Sequence, residues 1–442
     1  MSTKMSARGR RLAIAGVGAA VALALTACAP PGGSAPEPAP TSSDAGGEKA
    51  TGTVKIGFIA PVSGPIAAVG QQMQDGWEYY WEENGFEVGG VTVEMVGYED
   101  DAGDVQKAVT AATKLVEQLG AEIVVGPLAA NTASAVSAYT TEQEVVNIAP
   151  VAASNDLTSV NWSPFTIRAG SMAATQNNFP AGEWAATDLG AKTALTICTD
   201  YSFGWESCAG FVQGFTQNGG EVVEQIWTPN GDPDYSAYVS TLVNSPADVI
   251  YMGSAGGLYG PNFLETYLGA GGDIDKLLLN CCASDQATLV VAEQRGLADQ
   301  IVGLKSVSYW AEGEGAPPAA QEFVESWAAS HDGQISGAYI AGGYFAASMV
   351  AKVFEEFGLL TGEDLVSKIQ GFTFEDSIFG PVKWDEFNNP VQDVFIREVG
   401  KNADGKLVNN VIKTYEGVEQ FIGMTPEEFN AMQPFTKDNQ GI

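Results

Sequence analysis

Val54-Lys55-Ile56-Gly57-Phe58-Ile59-Ala60 runs straight into Pro61-Val62-Ser63-Gly64-Pro65-Ile66-Ala67-Ala68-Val69-Gly70. The first seven residues are apolar apart from Lys55 and show no polar alternation, which reads as a buried strand. The next ten form a Gly/Pro loop, and residues 71–84 have helical spacing with an aromatic face. This strand–loop–helix unit then repeats. Strands are predicted at 91–97, 122–126 and 145–149, with helices at 104–119 and 132–143 between them. Such alternation is the signature of a parallel sheet covered on both faces.

The pattern restarts downstream. Helices are predicted at 179–189, 205–217, 235–244 and 260–268, and strands at 193–198, 221–227, 248–253 and 277–280. A strand at 302–309 is followed by helices at 318–330 and 339–357 with no strand between them. Those helices are most economically placed back on the first unit. Residues 392–399 and 406–415 read as a hairpin turning at Asp404-Gly405. The expected fold class is α/β: two doubly wound parallel-sheet lobes joined by a multi-strand hinge. Lobe 1 takes 53–168 and 306–380, lobe 2 takes 169–305 and 381–416, and 417–442 is a C-terminal extension.

The N-terminus bears on location. Lys4, Arg8, Arg10 and Arg11 precede an apolar run from 12 to 25. That run of about 14 residues is short for a bilayer span and fits a signal peptide, 1–27. Leu25-Thr26-Ala27-Cys28 resembles a bacterial lipobox, which implies lipidation of Cys28 and an extracytoplasmic protein anchored to the cell membrane. Residues 28–52 form a tether: from 29 to 51 the chain is almost all Ala, Pro, Gly, Ser, Thr, Asp and Glu, too polar to offset the entropy of ordering. Removing the four basic residues of the signal takes the formal net charge from −33 to −37. An acidic chain of this kind argues against nucleic acid and against electrostatic adhesion to anionic lipid.

Four cysteines remain: Cys198, Cys208, Cys281 and Cys282. In an oxidising compartment an even number points to pairing, and four allow three connectivities. The pairs 198–208 and 281–282 are the expected arrangement, with free buried thiols as the alternative. Adjacent residues lie about 3.8 Å apart at Cα, so a 281–282 bridge would be strained. The single histidine, His331, leaves little material for Ser-His-Asp catalysis or histidine metal sites. No phosphate-binding glycine loop, dinucleotide fingerprint, zinc-protease helix or nucleophile elbow is present. Neither an enzyme activity, a cofactor nor a metal is expected.

Ser63-Gly64-Pro65-Ile66-Ala67-Ala68-Val69-Gly70 is similar to the first loop of the type I periplasmic binding proteins of the leucine/isoleucine/valine group. The likeness continues in order through Glu99-Asp100-Asp101-Ala102-Gly103-Asp104, Val125-Gly126-Pro127-Leu128, Ala149-Pro150-Val151-Ala152-Ala153-Ser154, Asp200-Tyr201-Ser202-Phe203-Gly204 and Gly380-Pro381-Val382. The resemblance spans roughly 54–415 and implies a substrate-binding protein of an ABC importer. Its partners would be a small-molecule ligand and permease subunits, and it is expected to act as a monomer. A ligand sensor docking on a membrane receptor is the alternative. The family's ligand loops fall on Val69, Ala130, Asn131, Ala152, Ala153 and Ser154 in the first lobe, and on Phe203, Ala255 and Cys282 in the second.

Those motifs lie where strands end and helices begin, the usual ligand position of open α/β sheets. Free N–H groups at helix starts suit a carboxylate or carbonyl. Thr132 and Ser154 are small hydroxyls near two such starts, with N-capping as their plain structural role. Tyr201, Phe203, Trp205, Tyr259, Tyr309 and Trp310 are aromatics on or near cleft loops; Tyr201, Phe203 and Trp310 are taken as ligand contacts, core packing being the other reading. Val69 replaces a frequent aromatic, and Cys282 stands where an acid usually meets the ligand ammonium. A buried ammonium without a carboxylate would cost several kcal/mol. Asp200 or Asp285 is the available substitute. The expected solute is a small carboxylate, an amide or an amino acid, with the first two ranked ahead.

Overall fold

The computed structural model describes residues 49–64 and 66–442. The expected signal peptide, Cys28 and most of the expected tether lie outside the described residues. The first lobe runs β1 (Gly52–Ala60), α1 (Ala67–Asn84), β2 (Glu87–Val88), β3 (Val91–Asp100), α2 (Val105–Thr113), β4 (Ile123–Val125), α3 (Ala130–Glu142), β5 (Val146–Ala149) and β6 (Thr166–Arg168). Its sheet has the order β2-β3-β1-β4-β5-β6. β1 pairs in parallel with β3 and β4, and Val54, Ile56, Phe58 and Ile59 are fully buried. Flanked on both edges and covered on both faces, this strand has no reason to alternate polar and apolar residues.

The chain then builds α4 (Ala174–Thr187), β7 (Thr193–Thr199), α5 (Ser202–Gln217), β8 (Glu221–Thr228), α6 (Val239–Asn244), β9 (Val249–Gly253), α7 (Tyr259–Gly269), β10 (Leu277–Leu279), α8 (Gln286–Gln294) and β11 (Lys305–Ser308). After α9 (Pro318–Ser330), α10 (Ala338–Phe357) and α11 (Gly362–Ile369) come β12 (Thr373–Ser377), β13 (Gly380–Trp384), β14 (Pro390–Lys401), β15 (Leu407–Val418) and α12 (Pro426–Met432). The second sheet has the order β12-β13-β14-β11-β10-β9-β7-β8, with β15 on β14. Its β8 to β11 portion is parallel, and β14 joins β11 antiparallel. β14 and β15 form the expected hairpin.

The second sheet runs across the expected lobe limits. A boundary at 306 cuts β11, which belongs to the second sheet. β12 and the start of β13, expected with the first lobe, also join the second sheet through β14. Helix α10 does return to the first lobe. A Cβ built on its Gly343 would lie 1.9 Å from the Met73 carbonyl of α1, and one on Gly76 of α1 would lie 2.0 Å from the Ile340 carbonyl. The two backbones touch at this crossing because neither residue has a side chain. The same device seats α4 on α5, where a Cβ on Gly214 would meet the Phe179 carbonyl at 2.1 Å.

The C-terminal extension folds onto the body. Phe421, Phe429 and Phe435 are buried with Ala209 of α5. Lys437 pairs with Asp200 at 3.1 Å, and Gln213 donates to the Gln440 carbonyl at 3.0 Å. Gln433 donates to Ser159 Oγ at 3.0 Å on the first lobe's side. The segment therefore straps both lobes.

The α1–α10 crossing sets a direct expectation. Gly343→Val forces two helix backbones apart and should cost about 1–3 kcal/mol, the usual range for overpacking. Urea unfolding should show a lower midpoint; an unchanged midpoint would mean the helices can separate freely.

Candidate ligand-binding cleft

The carboxyl ends of β1, β4 and β5 face those of β7, β9 and β10 across a cavity of about 230 Å³. Each wall is built from the turn that follows a strand. The first lobe supplies Val69, Ala102-Gly103, the start of α3 and the loop containing Val151 and Ala153. The second supplies the starts of α4, α5 and α7, Ala255-Gly256 and Cys281-Cys282. Tyr309 and the first residues of α10, Ala338-Tyr339, close the side near the crossings.

Three of the helices that begin here have no side-chain cap. The capping positions are Ala129 for α3, Tyr201 for α5 and Leu258 for α7, none of which accepts from its helix. Ordinary helices place Ser, Thr, Asp or Asn there. The first N–H groups of these helices are left to whatever enters the cleft, and the helix dipoles favour an oxygen-bearing group.

No Asp, Glu, Lys or Arg is among the described residues that line the cavity. Burial pushes the phenols of Tyr201, Tyr309 and Tyr339 well above their ordinary range. The hydrogen bond to Cys281, and then burial, push the Cys282 thiol up. The walls are thus uncharged at neutral pH.

Of the residues expected at the ligand, Val69, Ala130, Asn131, Ala153, Tyr201, Phe203, Ala255 and Cys282 line the cavity. Ala152, Ser154 and Trp310 do not. The carbonyls of Ala152 and Ser154 face the buried guanidinium of Arg168, which donates to both, the latter at 2.7 Å. Ser154 Oγ donates to Asp156. Trp310 packs its ring on Phe323 and Phe379, at 6.0 and 5.7 Å, while its carbonyl accepts from Arg397 at 2.7 Å. Thr132 donates to the Ala129 carbonyl at 3.0 Å and caps nothing.

Neither candidate acid reaches the cavity wall. Asp200 accepts from Trp205 Nε1 at 2.8 Å and pairs with Lys437. Asp285 caps α8 and accepts from the Ala338 N–H at 2.8 Å. The cysteines divide. Cys198 and Cys208 form a disulfide, whereas Cys281 and Cys282 are free, with Sγ atoms 3.4 Å apart. The expected 281–282 bridge is corrected to two thiols; adjacent residues sit closer at Cα than a disulfide prefers.

Met172, Asn177, Asn178 and Tyr339 also line the cavity and were not among the expected contacts. The helix expected to start at 179 begins at Ala174. Thr175-Gln176-Asn177-Asn178 looks like loop by composition, yet all four are buried. A polar run leading directly into a helix was the available signal.

The periplasmic binding protein model matches residues 53–406. The chain belongs to the periplasmic binding protein family. Among its relatives, the Leu/Ile/Val-binding protein homolog 6 of Brucella melitensis is 27% identical over 367 residues, covering 82% of this chain and 92% of that protein. A solute-binding protein of an ABC transporter from Rhodopseudomonas palustris, solved with 3,4-dihydroxybenzoic acid, superposes with a TM-score of 0.75 at 26% identity, covering 83% and 98% of the two chains. A second from that organism, solved with benzoate, gives 0.73 at 25% identity, covering 85% and 100%. This periplasmic binding protein shares the type I fold of two mostly parallel lobes, and its family and structural neighbours are solute-binding proteins rather than enzymes.

Two buried acids join the lobes beside the cleft. Asp285 reaches Ala338, and Glu206 of α5 accepts from the Asn155 N–H at 3.0 Å. Burial pushes the Glu206 carboxyl up to about 8; Asp156 adds to this, while the Asn155 N–H and Arg168 oppose it. The ordinary value is 4.5. Between those values the folded protein keeps a proton that the unfolded chain has lost, so stability falls as pH rises through that window. Thermal unfolding should show a lower midpoint at pH 8 than at pH 5, with a smaller drop in Glu206→Gln. Equal drops in the two proteins would contradict this.

Proposed function

We propose that this periplasmic binding protein captures a small organic solute lacking an ammonium group and delivers it to the permease of an ABC importer. The reading rests on one observation: the cavity has uncapped helix starts and no charged side chain among the described residues that line it. An ammonium placed there would lose its water and find no carboxylate. A carboxylate or carbonyl would meet backbone N–H groups. Tyr201, Phe203, Tyr259, Tyr309 and Tyr339 give the rest of the solute an aromatic-rich surround. Small carboxylates and amides, aromatic acids included, therefore rank ahead of branched-chain amino acids. The benzoates held by the two Rhodopseudomonas neighbours support this ranking. The names of the Leu/Ile/Val-binding relatives favour the other.

Calorimetry with leucine, valine, urea, short amides and benzoate-like acids discriminates. Micromolar or tighter binding of an acid or amide, with no response to leucine or valine, is expected. Tight binding of leucine or valine alone would overturn the reading.

The family works outside the cytoplasm, and no helix among the described residues is long and apolar enough to cross a membrane. Anchoring through lipidated Cys28 is the natural means of holding the protein near its permease. Cys28→Ser should move the protein from the membrane fraction to the soluble one. Retention on the membrane with lipid absent from both the wild type and the variant would sink the anchor.

A further inference from the structure

Residues 419–442 follow β15 and carry the helix α12. Thr425 and Glu428 close a capping box at its start. The segment's grip on the body is uneven. On the second lobe, Phe429 and Phe435 are buried with Ala209 of α5. Lys437 pairs there with Asp200, and Gln213 holds the Gln440 carbonyl. At the crossing between β13 and β14, Phe387 meets Phe421 with ring centres 5.2 Å apart, and Gln420 donates to Asp385 Oδ2 at 2.7 Å. On the first lobe the hold is a single neutral hydrogen bond among the described residues, Gln433 Nε2 to Ser159 Oγ at 3.0 Å.

That bond sits beside a contact between the lobes. Ser159 Oγ donates in turn to the Asn155 carbonyl at 2.7 Å, and the Asn155 N–H donates to Glu206 of α5 at 3.0 Å. Moving the loop at 155–159 away from α5 therefore breaks the Gln433 and Asn155 bonds together. Buried phenylalanine rings hold a segment more strongly than one neutral hydrogen bond does. When the lobes separate, the segment stays on α5 and parts from Ser159.

We propose that the C-terminal segment is a latch. Anchored on the second lobe and at the crossing, it catches the first lobe through Gln433 and Ser159 and restrains opening of the cleft. The catch is weak enough to release: one hydrogen bond biases closed against open by about two- to tenfold. The latch acts on the lobes and not on the solute, so it stands whichever ligand the cavity takes.

Hydrogen–deuterium exchange resolved to single amides, on the full chain without added solute, tests this. Two amides report separation of the lobes, Asn155 on Glu206 and Ala338 on Asp285. The Phe429 amide, which donates to the Thr425 carbonyl, reports whether the segment stays seated. In Gln433→Ala, exchange at Asn155 and Ala338 should quicken about two- to tenfold while Phe429 is unchanged. Phe435→Ala, which loosens the seat, should quicken all three. Unchanged exchange at Asn155 and Ala338 in Gln433→Ala overturns the latch. So does quickening confined to Asn155, which is the loosening of one loop, or quickening of all three in Gln433→Ala, which is loss of the seat. Phe435→Ala that quickens Phe429 and leaves Asn155 and Ala338 as they were overturns it too.

Discussion

The guanidinium of Arg168 is fully buried at the end of β6, where it holds the loop behind one wall of the cleft. It donates to the carbonyls of Ala152 and Ser154, and to Asn389 Oδ1 at 2.9 Å beside the hinge strand β14. Burial lowers its pKa to about 10, with Glu206 and Asp156 opposing the fall, so it stays charged at neutral pH. A buried cation of this kind is costly unless every N–H finds an oxygen. Two of those oxygens belong to the loop that carries Val151 and Ala153 to the cavity and Asn155 to Glu206. One side chain thus sets the wall of the cleft and the position of a contact between lobes.

A second buried guanidinium works at the other crossings. Arg397 of β14 donates to the Trp310 carbonyl and, at 2.8 Å, to Ser284 Oγ. It fixes the path out of β11 and the turn that precedes α8, where Asp285 reaches across to α10. Charge is therefore abundant around the hinge and kept out of the cavity. The hinge geometry is paid for in buried ion and hydrogen-bond networks, while the cavity keeps neutral side chains and free helix starts. Two lobes linked by several crossings can rotate as bodies, and a solute satisfying groups from both walls would favour the closed arrangement.

Much of this was legible in the sequence. Unalternating apolar runs such as Val54 to Ala60 mark strands that helices cover on both faces. The Gly, Pro and Ala motifs at their ends mark where the backbone reaches the cavity, so Val69, Ala130 and Ala153 could be placed on its wall. What was lost depended on side-chain direction. Trp310 sits beside a crossing, but Arg397 holds its carbonyl and its ring turns into Phe323 and Phe379. Ser154 follows a cleft motif, but its hydroxyl is taken by Asp156. β12, with Thr373, Glu375 and Asp376 among its five residues, is too polar to read as a strand. Asn177 was hidden because Thr-Gln-Asn-Asn has loop composition and only tertiary packing makes it helix.

The solute proposed for this uncharged cavity with open helix starts carries no amine. Native mass spectrometry of protein purified from its own source without unfolding tests it most directly. The mass released on denaturation is expected to be that of a small carboxylate or amide with no primary amine. Release of leucine, isoleucine or valine would contradict it.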